Sequence, residues 1–188
     1  MKIAIIGEQC SGKTTAANFI AELFKIHYIH KFADPIYGVL GCLGQGKNRL
    51  FMQEFSDLAK SHFGLGIFVE LFEKEILTRE LLEEELWLEK YGSDSWAIIC
   101  DDLRYMRELE LVKKLGFKVM AINTIKDIRQ TRATNQGLDF NENHSSESEV
   151  QDLIWHADSV LMDSGAVTLE LLKEHCQQTV MTWLKENI

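Results

Sequence analysis

Eight residues near the start of the chain hold its densest chemistry: Gly7-Glu8-Gln9-Cys10-Ser11-Gly12-Lys13-Thr14 reads G-x-x-x-x-G-K-T. They follow an apolar run, Ile3-Ala4-Ile5-Ile6, and open a stretch with helical apolar spacing at Ala16, Phe19, Ile20, Leu23 and Phe24. Strand, glycine loop and helix in that order is the setting a phosphate-binding loop requires. Gly7 and Gly12 let the backbone curl, so that amides around Gln9, Cys10 and Ser11 face inward as an anion nest. The positive end of the next helix, at Lys13, Thr14 and Thr15, adds to the same field. Lys13 brings an ammonium for the β- and γ-phosphates, and Thr14 offers a hydroxyl to Mg²⁺. The pattern predicts ATP with Mg²⁺. The competing reading is a tight turn with Lys13 solvated in the first helical turn.

Further charged groups stand where strands are expected to end. Asp101-Asp102-Leu103-Arg104 follows the apolar run 96–100. A carboxylate there suits Mg²⁺ held opposite the phosphate loop, so Asp101 and Asp102 are both metal candidates. Arg104 suits a second phosphate, bidentately. Helix capping by either Asp, and an i,i+4 pair between Arg104 and Glu108, would account for the same residues. Asp34-Pro35 follows the second run and reads as helix punctuation or a substrate contact in equal measure. Arg49 and Gln53 lie four apart on one helical face. Arg129 and Arg132, three apart, face a polar stretch at 136–146 and suit a lid that closes on phosphates. His144 precedes Ser146 and Glu149, which resemble a capping box. Asp163-Ser164-Gly165 ends a short strand in a turn where an adenine edge is expected.

The elements that must position these groups follow from periodicity. Apolar runs at 2–6, 27–32, 96–100, 118–123 and 159–162 alternate with helical patterns near 13–25, 35–42, 48–63, 67–90, 104–115, 126–135, 147–155 and 167–186. Alternation of this kind predicts βαβ units and a doubly wound parallel sheet. Ligands then lie at the carboxyl ends of the strands, in the loops after residues 6, 32, 100, 123 and 162.

With 188 residues the chain is expected to form a single domain. A formal net charge of −9 argues against a sequence-independent nucleic-acid binder, which needs a basic footprint. Eight Glu between Glu70 and Glu89 read as a solvated helix face. No apolar run approaches the roughly 20 residues that span a bilayer. Strand residues stand at the very start, so no secretory signal is expected, and Cys10, Cys42, Cys100 and Cys176 are too scattered for a disulfide framework or a cysteine zinc site. A reduced, cytoplasmic setting is the expectation, with no membrane partner and room for a homodimer.

Taken in order, these motifs resemble the phage-type deoxynucleoside monophosphate kinases, in the nucleoside monophosphate kinase branch of P-loop proteins. The resemblance rests on the loop at 7–14, Ala33-Asp34-Pro35-Ile36, Arg49 with Gln53, Asp102-x-Arg104-x-x-x-Glu108, His144-x-Ser146-Glu147 and Ala157-Asp158 with Asp163-Ser164-Gly165. It implies a three-layer α/β/α fold with a five-stranded parallel sheet in the order 2-3-1-4-5. It implies a substrate-binding helical segment at about 34–90 and a short lid insertion at about 126–147. Asp34, Arg49, Gln53, Arg104, Glu108, His144 and Glu147 would bind the acceptor monophosphate. Arg129 and Arg132 would belong to the lid, and Ser164 and Gly165 to the adenine turn. Lys13, Arg104, Arg129, Arg132 and Asp102 would carry the transfer. Asp163 departs from an Asn common in that turn. Two other readings compete: a different P-loop small-molecule kinase, such as a dephospho-coenzyme A kinase, and a nucleotide-dependent switch.

Overall fold

The computed structural model describes residues 1–25, 28–91, 97–138, 140 and 148–186, with the side chains of 82–91 left aside. The chain forms two compact units, one of Met1–Ile29 with Ser95–Ile188 and the other of His30–Asp94.

The first unit is built on β1 (Lys2–Ile6), β2 (Ile98–Leu103), β3 (Lys118–Thr124) and β4 (Ser159–Asp163), hydrogen-bonded in the order β2-β1-β3-β4 with all pairs parallel. Its helices are α1 (Lys13–Phe24), α5 (Met106–Lys114), α6 (Lys126–Asn135), α7 (Val150–Ile154) and α8 (Leu169–Glu186); the other unit holds α2 (Asp34–Cys42), α3 (Arg49–Phe63) and α4 (Ile67–Tyr91). Ile3, Ile5, Ile99, Met120 and Ile122 project from one face of the sheet into a core completed by Ala16, Ala17 and Ile20 of α1 and Cys176, Val180 and Trp183 of α8. Alternate residues such as Ala4, Ile6, Cys100, Val119 and Ala121 are equally buried, and α7 contacts β1 and β3. Burial on both faces is why β1 and β3 are runs of apolar residues without alternation.

The expected fifth strand does not join this sheet among the described residues, and His30 forms only an isolated bridge. The run 27–32 carries His27, His30 and Lys31 among its aromatics. It lacks the continuous apolar character that a strand buried on both faces needs. The remaining order agrees with expectation once that strand is removed.

In the second unit, Ile36 and Leu40 of α2 and Phe68, Phe72 and Ile76 of α4 are buried at i,i+4 spacing. Phe32 stacks on Phe72 with ring centroids 4.0 Å apart. α3 buries none of its side chains, and Asn48 caps it by accepting from the Phe51 amide at 3.0 Å. Among the described residues, no helix is long and apolar enough to cross a membrane.

Candidate active site

Residues 7–12 join the carboxyl end of β1 to α1. Cys10 takes φ 60° and Gly12 φ 108°, two left-handed residues that turn the loop over within three positions. Cys10 has no glycine freedom there, so its conformation is held by the surrounding loop. At Gly7 the constraint is space. A Cβ would collide with Ser11 Oγ and come within 2.8 Å of the Ile122 carbonyl oxygen. Lys13 is buried, and its Nζ donates to the Gly7 carbonyl and, at 2.7 Å, to that of Glu8. The ammonium thus lies over the loop's own backbone.

Gly12 caps α1 with no side-chain hydrogen bond, and no acid stands in the first turn. The first amides of any helix lack intrahelical carbonyls, so this end presents donors and a partial positive charge. Ser11 Oγ is fully buried and has no hydrogen-bond partner among the described residues. An uncapped helix end, an orphaned buried hydroxyl and a nearby ammonium together fit a phosphate group.

Across the loop stands the end of β2. Ala4 pairs with Cys100 and Ile6 with Leu103, so Asp101 and Asp102 together oppose Ile5. The register shift inserts one residue here, and the alternation of side chains along β2 points the two acids to opposite faces. Asp101, 2% exposed, accepts from Thr14 Oγ1 at 2.7 Å. Asp102 turns the other way, with Oδ1 3.5 Å from Cys100 Sγ. Of the two metal candidates, Asp101 is the one that meets Thr14.

Glu108 closes the next turn. Its Oε2 accepts from the amides of Arg104 at 2.7 Å and Tyr105 at 3.1 Å. Burial pushes the Glu108 carboxyl up to about 8, reinforced by the Asp102 charge and opposed by those amides and by Arg104. Burial and Asp102 likewise drive the Cys100 thiol well above its ordinary value. Glu108 holds the backbone that carries Arg104. Glu149, expected in a capping box of its own helix, accepts instead from the Met106 amide at 2.7 Å and caps α5.

Both arginines of α6 reach the phosphate loop. Arg129 is buried: Nε donates to the Thr124 carbonyl at 3.0 Å, one terminal nitrogen lies 3.1 Å from Glu8 Oε1, and the guanidinium sits over Phe140. Arg132 is about one-third exposed. It donates to the Ser11 carbonyl at 3.2 Å and pairs with Asp163 Oδ2 at 2.7 Å. Burial raises the Asp163 carboxyl, yet the Gly165 amide and Arg132 outweigh it and leave the group below the usual range. Gly165 takes φ +104°, as the turn after β4 demands. Ser164 lies beside it, exposed. Asp158 pins the start of β4, accepting from the Val119 amide at 2.7 Å.

The structure therefore gathers Lys13, Thr14, Asp101, Arg129, Arg132 and the 163–165 turn around one loop, with Arg104 at the adjoining strand end. Asp34, Arg49 and Gln53 belong to the second unit, where Asp34 Oδ2 accepts from the Lys31 amide at 2.8 Å rather than capping α2, whose cap falls on Ala33. His144 and Glu147 lie outside the described residues. Sequence reading missed three participants. Glu8 sits within the loop motif at a position any residue can fill; Gln151 donates to Glu8 Oε2 at 2.7 Å; and Thr124 donates to the Ser11 carbonyl at 3.0 Å. Their partners lie more than a hundred positions away, beyond any local pattern.

No protein-family model and no curated protein matches the sequence. Among solved structures the chain is similar to shikimate kinase from Acinetobacter baumannii in complex with shikimate. The TM-score is 0.50 at 13% identity, over 100% of this chain and 94% of that one. It is also similar to deoxyadenosine kinase from M. mycoides with products dCMP and a flexible dCDP bound. There the TM-score is 0.44 at 12% identity, over 97% of this chain and 100% of that one. At such identities the likeness concerns the fold alone, an α/β architecture with a parallel sheet.

Proposed function

We propose that the chain is an ATP-dependent kinase that phosphorylates a (deoxy)nucleoside monophosphate to the diphosphate. The observation that carries the reading is the convergence on one uncapped helix end of Lys13, the Thr14–Asp101 pair and Arg132. A site that spends two cations and a metal pair on one loop is built for a polyanion whose charge moves during reaction.

The loop amides and Lys13 would hold the triphosphate, while Thr14 and Asp101 would hold Mg²⁺. Bound Mg²⁺ neutralises phosphate charge and fixes phosphate orientation. Asp102 would support this corner electrostatically. Arg132 would offer its guanidinium to phosphate oxygens as the lid arginine, and Arg129 would brace the loop from behind. Arg104, on the backbone that Glu108 fixes, would orient the acceptor phosphate, and Arg49, Gln53, His144 and Glu147 would serve the acceptor nucleotide. Because a monophosphate is already anionic near neutral pH, no residue need act as general base. The turn at Asp163, Ser164 and Gly165 would meet the adenine. The partner is thus a small nucleotide, and the placement in the cytoplasm stays with this reading.

A second reading within the same chemistry is another small-molecule acceptor. It draws on the fold shared with a shikimate kinase. The test is ADP release measured with ATP and Mg²⁺ over a panel of nucleoside monophosphates, dephospho-coenzyme A, shikimate and sugars. Turnover with one or more monophosphates, abolished in Lys13→Ala with the fold intact, is expected. Turnover only with a non-nucleotide would assign the second reading. Slow hydrolysis that no acceptor stimulates would overturn both in favour of a nucleotide-dependent switch.

A further inference from the structure

We infer that the second unit holds a transition-metal site, formed by His30, Asp34 and Glu75, that takes Zn²⁺. The ligand atoms of these three residues all lie within 4.8 Å of one another. Among the described residues they are the one group of three His, Cys, Asp or Glu side chains placed so closely, and they offer both nitrogen and oxygen donors. His30 is 5% exposed, and its Nδ1 stands 3.4 Å from Glu75 Oε1.

Packing organises the cluster in advance. Phe32, two residues from His30 and from Asp34, stacks on Phe72 at 4.0 Å. Phe72 is one helical turn before Glu75, so the stack holds the two ligand-bearing segments together. The Lys31 amide fixes Asp34 Oδ2 at 2.8 Å, which sets the carboxylate plane. Such outer contacts set ligand orientation at metal centres and strengthen binding.

The donor set selects the ion. With imidazole neutral, two carboxylates bring a charge of −2, which a divalent cation cancels. Mg²⁺ and Ca²⁺ favour all-oxygen shells, whereas one imidazole with two carboxylates suits Zn²⁺ at about 2.0–2.2 Å. Donors around a tetrahedral ion of that size lie about 3.3–3.6 Å apart, so closure needs a movement of about 1 Å. Glu75, with 37% of its side chain exposed, has the freedom to supply it. Three protein ligands leave a fourth position to water. The rival arrangement is a protonated His30 paired with the acids, which binds no metal.

The decisive measurement titrates the full chain with Zn²⁺ against a chromogenic chelator, without nucleotide and with excess Mg²⁺ present. One equivalent should bind and raise the thermal midpoint. Glu75→Gln and His30→Gln should each weaken binding by at least about tenfold. Glu75 is half-buried, so its variant keeps the fold and decides the matter if the His30 variant does not. Lys13→Ala, Cys10→Ser and Cys42→Ser should bind as wild type, and Co²⁺ in place of Zn²⁺ should show no thiolate charge-transfer band. Absent binding, binding indifferent to Glu75→Gln, or binding that follows the thiols would overturn the site. The assay contains neither ATP nor acceptor, so its outcome is separate from that of the kinase reading.

Discussion

Arg129 and Glu8 form an ion pair at 3.1 Å that ties α6 to the phosphate loop. The arginine side chain is 4% exposed and the glutamate 12%. Gln151 holds the second carboxylate oxygen at 2.7 Å, so α7 joins the same knot. Arg129 therefore acts on the loop's shape, while Arg132, more exposed, is the arginine with access to a ligand.

Arg129→Met should cost about 3–5 kcal/mol of stability, because it strands a mostly buried Glu8 charge. Pairing it with Glu8→Gln should recover part of that loss. Chemical denaturation of the double-mutant cycle measures the coupling; additive effects would show that the pair is not the tie described.

Arg132→Ala should cost about 1–3 kcal/mol of stability, because the Asp163 side chain is 2% exposed and loses its counter-charge while keeping the Gly165 amide and the Thr124 hydroxyl. On the proposed function, kcat should fall about 10²–10³-fold, the cost of removing one preorganised charge donor. A variant with wild-type kcat would remove Arg132 from the chemistry.

Asp101→Asn should keep the fold, because the amide oxygen still accepts from Thr14 Oγ1. Mg²⁺-dependent ATP affinity, read by calorimetry with and without the ion, should drop about tenfold or more, whereas Asp102→Asn should change it less. Equal effects from the two would contradict the opposite faces of β2 on which they stand.

Glu108 gives a pH signature. Its native carboxyl titrates at about 8, against an ordinary 4.5 when the chain is unfolded. Between those values the native state holds a proton that the unfolded chain has lost, so stability falls as pH rises. The contribution is complete below about 4.5 and gone once pH passes 8. Denaturation from pH 5 to 9 should show this decline, and Glu108→Gln should flatten it. An unchanged slope in the variant would place the titration elsewhere.

Much of the chain was legible in short windows. The octet at 7–14 announced the turn and the helix start that the structure shows, because glycine freedom, an ammonium and a hydroxyl sit there at fixed offsets along one turn. Apolar periodicity located the helices to within a few residues, and β1 and β3 declared themselves by apolar runs. The run 27–32 misled because aromatic residues gave it strand character while its histidines and lysine denied it a doubly buried place.

What only the tertiary structure decided is which charges meet. The end of β2 offered two acids; the face that α1 covers gave Asp101 to Thr14, while Asp102 fell on the side of Cys100. Two arginines three apart looked alike on a helix, yet Glu8 buried one and left the other at the surface of the loop. His30 and Glu75, 45 positions apart, approach where two phenylalanines stack. Local sequence fixes backbone preference and side-chain chemistry, but the energy of a buried charge depends on partners brought by sheet register and packing, and no local window contains them.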